Sequence, residues 1–166
     1  MALLVFLLSL LPGVLYLYVI YRLDRYEPEP RGWVAVIFFL GMGSAILGAA
    51  TSELAHALIP FMDPLAALDA SYRPRIEILA LKYFVVVAPL EELLKMGAFL
   101  AAFTNRKLFN EPIDGLVYAA AAALGFASLE NATYLLERGT SLLLPRALLS
   151  VPMHLIASAM WGMGLA

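Results

Sequence analysis

Long apolar blocks are the feature that most constrains how this chain of 166 residues can fold. Hydrophobic residues make up 63% of the sequence and charged residues only 14%, against about 25% charged in an average soluble domain. Each block is close to the ~20 residues that a helix needs to cross a bilayer. Because backbone polar groups in lipid need internal partners, each block predicts a helix. The sequence therefore predicts an all-α, polytopic transmembrane helical bundle, with the lipid bilayer as an obligatory partner.

The apolar blocks predict about five spans in a single transmembrane domain. The predicted spans are residues 2–21, 33–59, 76–103, 113–136 and 144–166. The first lacks the basic start and small-residue cleavage site of a signal peptide, so we expect it to remain as a helix. Small residues in the second and fourth spans predict that both pack in the interior of the bundle. The sequence has no cysteine, which excludes disulfides and thiolate metal sites.

Ionisable side chains lie well inside the third, fourth and fifth predicted spans, and such a group costs about 2.5–3.5 kcal/mol at the helix centre. Suppose that the third and fifth spans begin near Lys82 and Pro145 and that the fourth ends near Leu136. Three of these side chains, one per span, then lie six to nine residues from one membrane face, or about 9–14 Å deep. They are Glu91, Glu130 and His154. A carboxylate in such a layer can act as a general base toward water attacking a peptide carbonyl.

Each of these groups also has a plainer interpretation. Glu91 and Lys95, spaced i and i+4, could form an ion pair whose two charges cancel inside the bundle and which has no catalytic role. Glu130 and Asn131 could be polar contacts between helices, and an isolated histidine is more often a satisfied core residue. At the level of function, the alternatives are a proton-coupled transporter and a non-catalytic membrane scaffold. The sequence has no inverted repeat, which counts against the transporter.

Four polar motifs follow one another in a fixed order along the chain. They are DRYEPEP at 24–30, EELLK at 91–95, DGLVY at 114–118 followed by GFASLEN at 125–131, and PMH at 152–154. This ordered set resembles the PrsW family of intramembrane endopeptidases, which is related to CAAX-processing and bacteriocin-protection membrane proteases. The resemblance implies four catalytic residues and three supporting ones. The catalytic residues are Glu91, Glu92, Glu130 and His154, and the supporting residues are Lys95, Asn131 and Phe126.

The resemblance also implies a function and a location. Members of the PrsW family cleave peptide bonds in membrane-associated proteins. The resemblance therefore implies hydrolysis by a glutamate-activated water, and a membrane protein substrate such as a single-pass anti-sigma factor. The expected location is the bacterial cell membrane, and no nucleic-acid partner is expected. The family pattern continues into further helices with another histidine motif, whereas this sequence ends at Ala166 within an apolar run. We therefore expect either a chain truncated at its C-terminus or a shorter variant of the family, and an inactive chain if that histidine is required.

A metal remains an alternative to the glutamic mechanism, although no cofactor is expected. If a divalent metal binds, its candidate ligands are Glu91, Glu92, Glu130 and His154. Catalytic zinc usually has three protein ligands drawn from His, Cys and carboxylate, whereas an oxygen-rich set suits Mg or Mn. A second pair, Glu53 and His56, lies near the end of the second span, and we assign it a structural role at the membrane interface.

Overall fold

The structure of this protein is a computed structural model, and it describes residues 2–62, 75–105 and 108–166. The described residues form five long helices. They are α1 (Ala2–Tyr21), α2 (Arg31–Met62), α3 (residues 76–103), α4 (Pro112–Arg138) and α5 (Thr140–Leu165). The described residues contain no strand, so the prediction of an all-α bundle is confirmed.

Four of the five helices, α1, α2, α4 and α5, are long and apolar enough to cross a membrane. The other helix, α3, has a comparable length but carries five charged side chains: Glu77, Lys82, Glu91, Glu92 and Lys95. The side chain of Lys82, the suggested start of the third span, is buried within the bundle. Glu77 is exposed, whereas the other four charged side chains of α3 are buried or half-buried, as is usual for ionisable groups inside a membrane bundle.

Helix α4 is the centre of the bundle, and α1, α2 and α5 all pack on it. The alanine run 119–123 is fully buried. The close approach of α2 to α4 depends on glycine, since a Cβ on Gly125 would overlap the Phe38 carbonyl oxygen of α2. The prediction that the fourth span is interior is therefore confirmed. The second span is interior on one face only, because Phe39 and Ile46 of α2 point away from the bundle.

Buried carboxyl groups tie the connection between α1 and α2 to the start of α4. The Glu29 backbone N–H donates to Asp24 Oδ2 at 3.0 Å, and the Tyr118 hydroxyl donates to the Glu29 carboxylate. Asp114 accepts from the backbone N–H of Glu111 at 2.7 Å and caps α4. Burial raises the pKa of Glu29 to about 7, against the opposing effect of the Tyr118 hydrogen bond. These motif residues hold one end of the bundle together.

Candidate active site

A π-helical turn precedes a site residue in both α3 and α5. The turns are Lys82–Val87 and Arg146–Ser150, and each ends two residues before a proline, Pro89 or Pro152. The backbone N–H just before each proline donates to the carbonyl five residues back. Proline lacks an N–H and crowds the carbonyl four residues back, which favours such a widened turn. In both helices, the predicted site residue lies two positions beyond the proline.

Lys95 of α3 is the hub of the site, and its side chain is only 1% exposed. Its ammonium lies 2.7 Å from Glu92 Oε1 and 2.7 Å from His154 Nδ1. It also lies 4.6 Å from the centre of the Phe126 ring, a cation–π contact. The predicted pair with Glu91 is long, at 4.0 Å. The ammonium pairs with Glu92 instead, because His154 of α5 holds it on that side.

The contact with Lys95 determines the tautomer of His154. An ammonium only donates hydrogen bonds, so His154 Nδ1 must accept one. The proton of a neutral imidazole is then on Nε2, which lies 3.1 Å from Glu130 Oε2 and donates to it. A neutral His154 therefore links the lysine of α3 to the glutamate of α4.

Arg146 of α5 completes the network on the α4 side. Its Nη2 donates to Glu130 Oε2 at 2.6 Å and its Nε donates to Asn131 Oδ1 at 2.5 Å. The guanidinium also lies 4.0 Å from the centre of the Tyr134 ring. Arg146 was not predicted as a site residue from the sequence. Its position eight residues before His154, about two helical turns, is the signal that was available.

The second oxygen of Glu92 is held by two donors from α5. Ser158 Oγ donates to Glu92 Oε2 at 2.6 Å and Trp161 Nε1 donates to it at 2.9 Å. Together with Lys95, these contacts use both oxygens of the carboxylate. Sequence reasoning missed Ser158 and Trp161, although they lie four and seven residues after His154 and so share its helix face.

Glu91 is the one predicted catalytic residue that stays outside this hydrogen-bond network. Its side chain is 14% exposed and makes no hydrogen bond among the residues that the structure describes. The charges of Glu130 and Lys95 are close enough to act on it. The structure thus brings the four predicted catalytic residues together. Glu92 and His154 contact Lys95, and Glu130 contacts His154. The carboxylate of Glu91 remains available.

Glu53 and His56, the second pair noted in the sequence, make no contact with the site in the described part of the chain. Glu53 is exposed on α2. The side chain of His56 lies outside the described residues, as do residues 63–74 of the connection that follows α2.

The family described as "PrsW family intramembrane metalloprotease" matches residues 29–166. The chain belongs to the PrsW family. Protease PrsW of Geobacillus kaustophilus (strain HTA426) is 34% identical over 91% of this chain and 60% of the relative. Protease PrsW of Clostridioides difficile (strain 630) is 30% identical over 95% and 63%, and that of Bacillus subtilis (strain 168) is 31% identical over 91% and 62%.

This PrsW-family chain spans about three-fifths of the length of the curated relatives that it matches. No solved structure matches it. The relatives give no support to the transporter or scaffold alternatives.

The family description implies a metal, and the donor set of this PrsW-family chain can be tested for one. Both ring nitrogens of His154 are engaged, by Lys95 and by Glu130. The Lys95 ammonium lies among Glu91, Glu92 and the histidine, where a cation held by those three would lie. Within residues 2–62, 75–105 and 108–166, no three His, Asp or Glu side chains are arranged to hold a metal ion. In this arrangement the described residues do not fit a metal.

Proposed function

We propose that this chain carries the catalytic residues of an intramembrane endopeptidase that hydrolyses peptide bonds with water activated by Glu91. Membership of the PrsW family supports the reaction class. The single observation that favours Glu91 as the base is its free carboxylate, placed beside a network in which its neighbours are all engaged. A general base must have a free oxygen within reach of the attacking water.

In the proposed reaction, Glu91 takes a proton from the water while the water oxygen bonds to the peptide carbonyl carbon. The negative charge moves to the carbonyl oxygen, and the ammonium of Lys95, 4.0 Å from Glu91, stabilises it. The carbon–nitrogen bond then breaks. Protonated Glu91 returns its proton to the leaving amine, so that the carboxylate is restored for the next cycle.

The other predicted residues have separate roles in this proposal. Glu92 orients Lys95 and anchors α3 to α5 through Ser158 and Trp161. Glu130 fixes the ring of His154, whose Nε2–H can turn from Glu130 to the oxyanion or to the water during the reaction. The two adjacent glutamates therefore differ in function, because neighbouring residues on a helix point about 100° apart.

The substrates we propose are membrane-embedded proteins, such as single-pass regulators of the anti-sigma type. The description of the family as intramembrane proteases is in keeping with a membrane-embedded substrate, because a site inside the bundle would receive a peptide bond from within the bilayer. We propose the bacterial cell membrane as the location. We also propose that the reaction needs no metal, since Lys95 supplies the cation of the site.

The decisive experiment is cleavage of a library of single-span substrates by the full-length protein in proteoliposomes. We expect Glu91→Gln to lower kcat by about 10²–10⁴-fold, the usual contribution of a general base. Glu92→Gln should retain more activity than Glu91→Gln and should lower thermal stability, because it loses an ion pair. Glu77→Gln, an exposed glutamate on the same helix, is the matched control and should cleave at the wild-type rate.

Two results would contradict this proposal. Cleavage by Glu91→Gln at a rate near that of wild type would exclude Glu91 as the base. Loss of wild-type activity in a chelator, with recovery on adding one divalent metal, would exclude the metal-free mechanism and leave the peptidase assignment intact.

A further inference from the structure

A groove separates α1 from α2. The two helices both pack on α4 but barely touch one another, and the space between them is a cavity of about 1270 Å³. Its walls are mostly apolar and come from both helices: Val14, Leu17 and Tyr18 of α1, and Val34, Ala35 and Phe38 of α2. A groove of this kind in a membrane protein faces lipid, and its walls suit an acyl chain.

Three arginines lie at the polar end of this groove. Arg22, Arg25 and Arg31 are exposed and line it. None of them forms an ion pair with another residue in the described part of the chain. Helix α2 begins at Arg31, so the positive end of its dipole faces the same region. The end of the groove is therefore suited to an anion.

The connection between α1 and α2 separates its charges by sign. Together with Arg31, the first residue of α2, it carries three acidic and three basic residues, but the acids are turned toward the start of α4. Glu27 bonds with Asn110, and Glu29 is buried against Tyr118. Asp24 does line the groove, but its Oδ2 is held by the Glu29 backbone N–H. Three cations against one engaged carboxylate leave the groove positively charged.

We propose that the groove between α1 and α2 is a binding site for an anionic phospholipid. The headgroup phosphate is held by Arg22, Arg25 and Arg31, and an acyl chain lies along the apolar walls. Arginine suits this role because its planar fork can donate two hydrogen bonds to a phosphate. A second cavity, between α1 and α5, has no charged residue in its lining and gives no reason for headgroup selectivity.

The test is native mass spectrometry of the full chain, released from nanodiscs that contain equal amounts of phosphatidylglycerol and phosphatidylcholine. We expect wild type to retain the anionic lipid in preference by at least about tenfold. Each arginine should contribute about fivefold, the equivalent of ~1 kcal/mol. The triple variant Arg22→Gln, Arg25→Gln, Arg31→Gln should lose the preference. Arg138→Gln, at the opposite end of α4, should keep it. A triple variant with the wild-type preference would overturn the proposal.

A second measurement needs no variant. A phosphatidylglycerol analogue with a photoreactive acyl chain, incorporated at a low mole fraction, should label wild-type peptides that contain Val14–Tyr18 and Val34–Phe38. Labelling confined to α3 or α5 would refute the assignment. Protein–protein cross-links that place a second copy, or another helix of the same chain, in the groove would refute it equally.

Discussion

Replacing Glu29 by glutamine should remove a pH dependence of stability. Glu29 is 3% exposed, and the groups that face it are the Tyr118 hydroxyl and the carboxyl groups of Asp114 and Asp24. Its pKa rises from 4.5 to about 7, chiefly because burial penalises the charged form. Glutamine has the shape of the protonated acid without its titration, so this substitution isolates the charge.

The sign of the effect follows from where the proton is bound. Below pH 4.5, Glu29 is protonated in both the folded and the unfolded state, and its burial carries no charge penalty. Between pH 4.5 and about 7 the unfolded chain releases the proton while the folded chain keeps it, so the free energy of unfolding falls as pH rises. At ~1.4 kcal/mol per pKa unit, the loss is at most about 3 kcal/mol, and it is complete above pH 7.

The measurement is unfolding of the purified protein in mixed micelles with increasing SDS, between pH 5 and 8.5. Wild type should lose stability across this range, whereas Glu29→Gln should lose about 3 kcal/mol less. Glu27→Gln, an exposed glutamate of the same connection, controls for the loss of one acid and should keep the wild-type slope. Identical slopes for wild type and Glu29→Gln would show that Glu29 does not titrate as burial requires, and the reasoning would fail.

Two further substitutions test packing and charge in the bundle. Lys95→Met should destabilise the protein by about 3–5 kcal/mol, because it leaves Glu92 without its buried cation. Denaturation of wild type and variant in the same detergent measures the loss of stability. A loss below about 1 kcal/mol would contradict this prediction. Gly125→Ala should cost about 1–3 kcal/mol, since the added Cβ overlaps the Phe38 carbonyl of α2. Gly164→Ala, where a Cβ meets open space, should unfold like wild type, and equal losses for the two variants would refute the packing argument.

The helices could be predicted from the sequence because hydropathy is a local property. The ends were less well predicted. Helix α2 continues through Pro60 to Met62, and α5 begins at Thr140, before the predicted start at residue 144. Proline is tolerated within helices of membrane proteins, where neighbouring groups satisfy the freed carbonyl. Ending the second predicted span just before Pro60 therefore made it shorter than the helix in the structure.

The layer of site residues was predicted from depth alone, but the bonds within it were not. Depth counts residues along each helix axis and gives no information about rotation around it. The π-helical turns before Pro89 and Pro152 change the rotation of every residue beyond them. Lys95 pairs with Glu92 instead of Glu91 because of contacts with another helix, where His154 meets the ammonium and Ser158 and Trp161 hold Glu92. The catalytic roles of the four predicted residues remain predictions.

The charges of the site do not balance, and the imbalance bears on the chemistry. The ionisable groups are three carboxylates, two cations and one imidazole: Glu91, Glu92, Glu130, Lys95, Arg146 and His154. Counting Lys95 and Arg146 as cations and His154 as the tautomer that accepts from Lys95, the formal charges sum to one negative charge among the three carboxylates, and only Glu91 has no hydrogen-bond donor among the described residues. An uncompensated charge at this depth is costly. In the reaction proposed above, a proton taken from water would relieve that cost and pass the charge to a carbonyl oxygen beside Lys95, so that the same transfer would both neutralise Glu91 and activate the nucleophile.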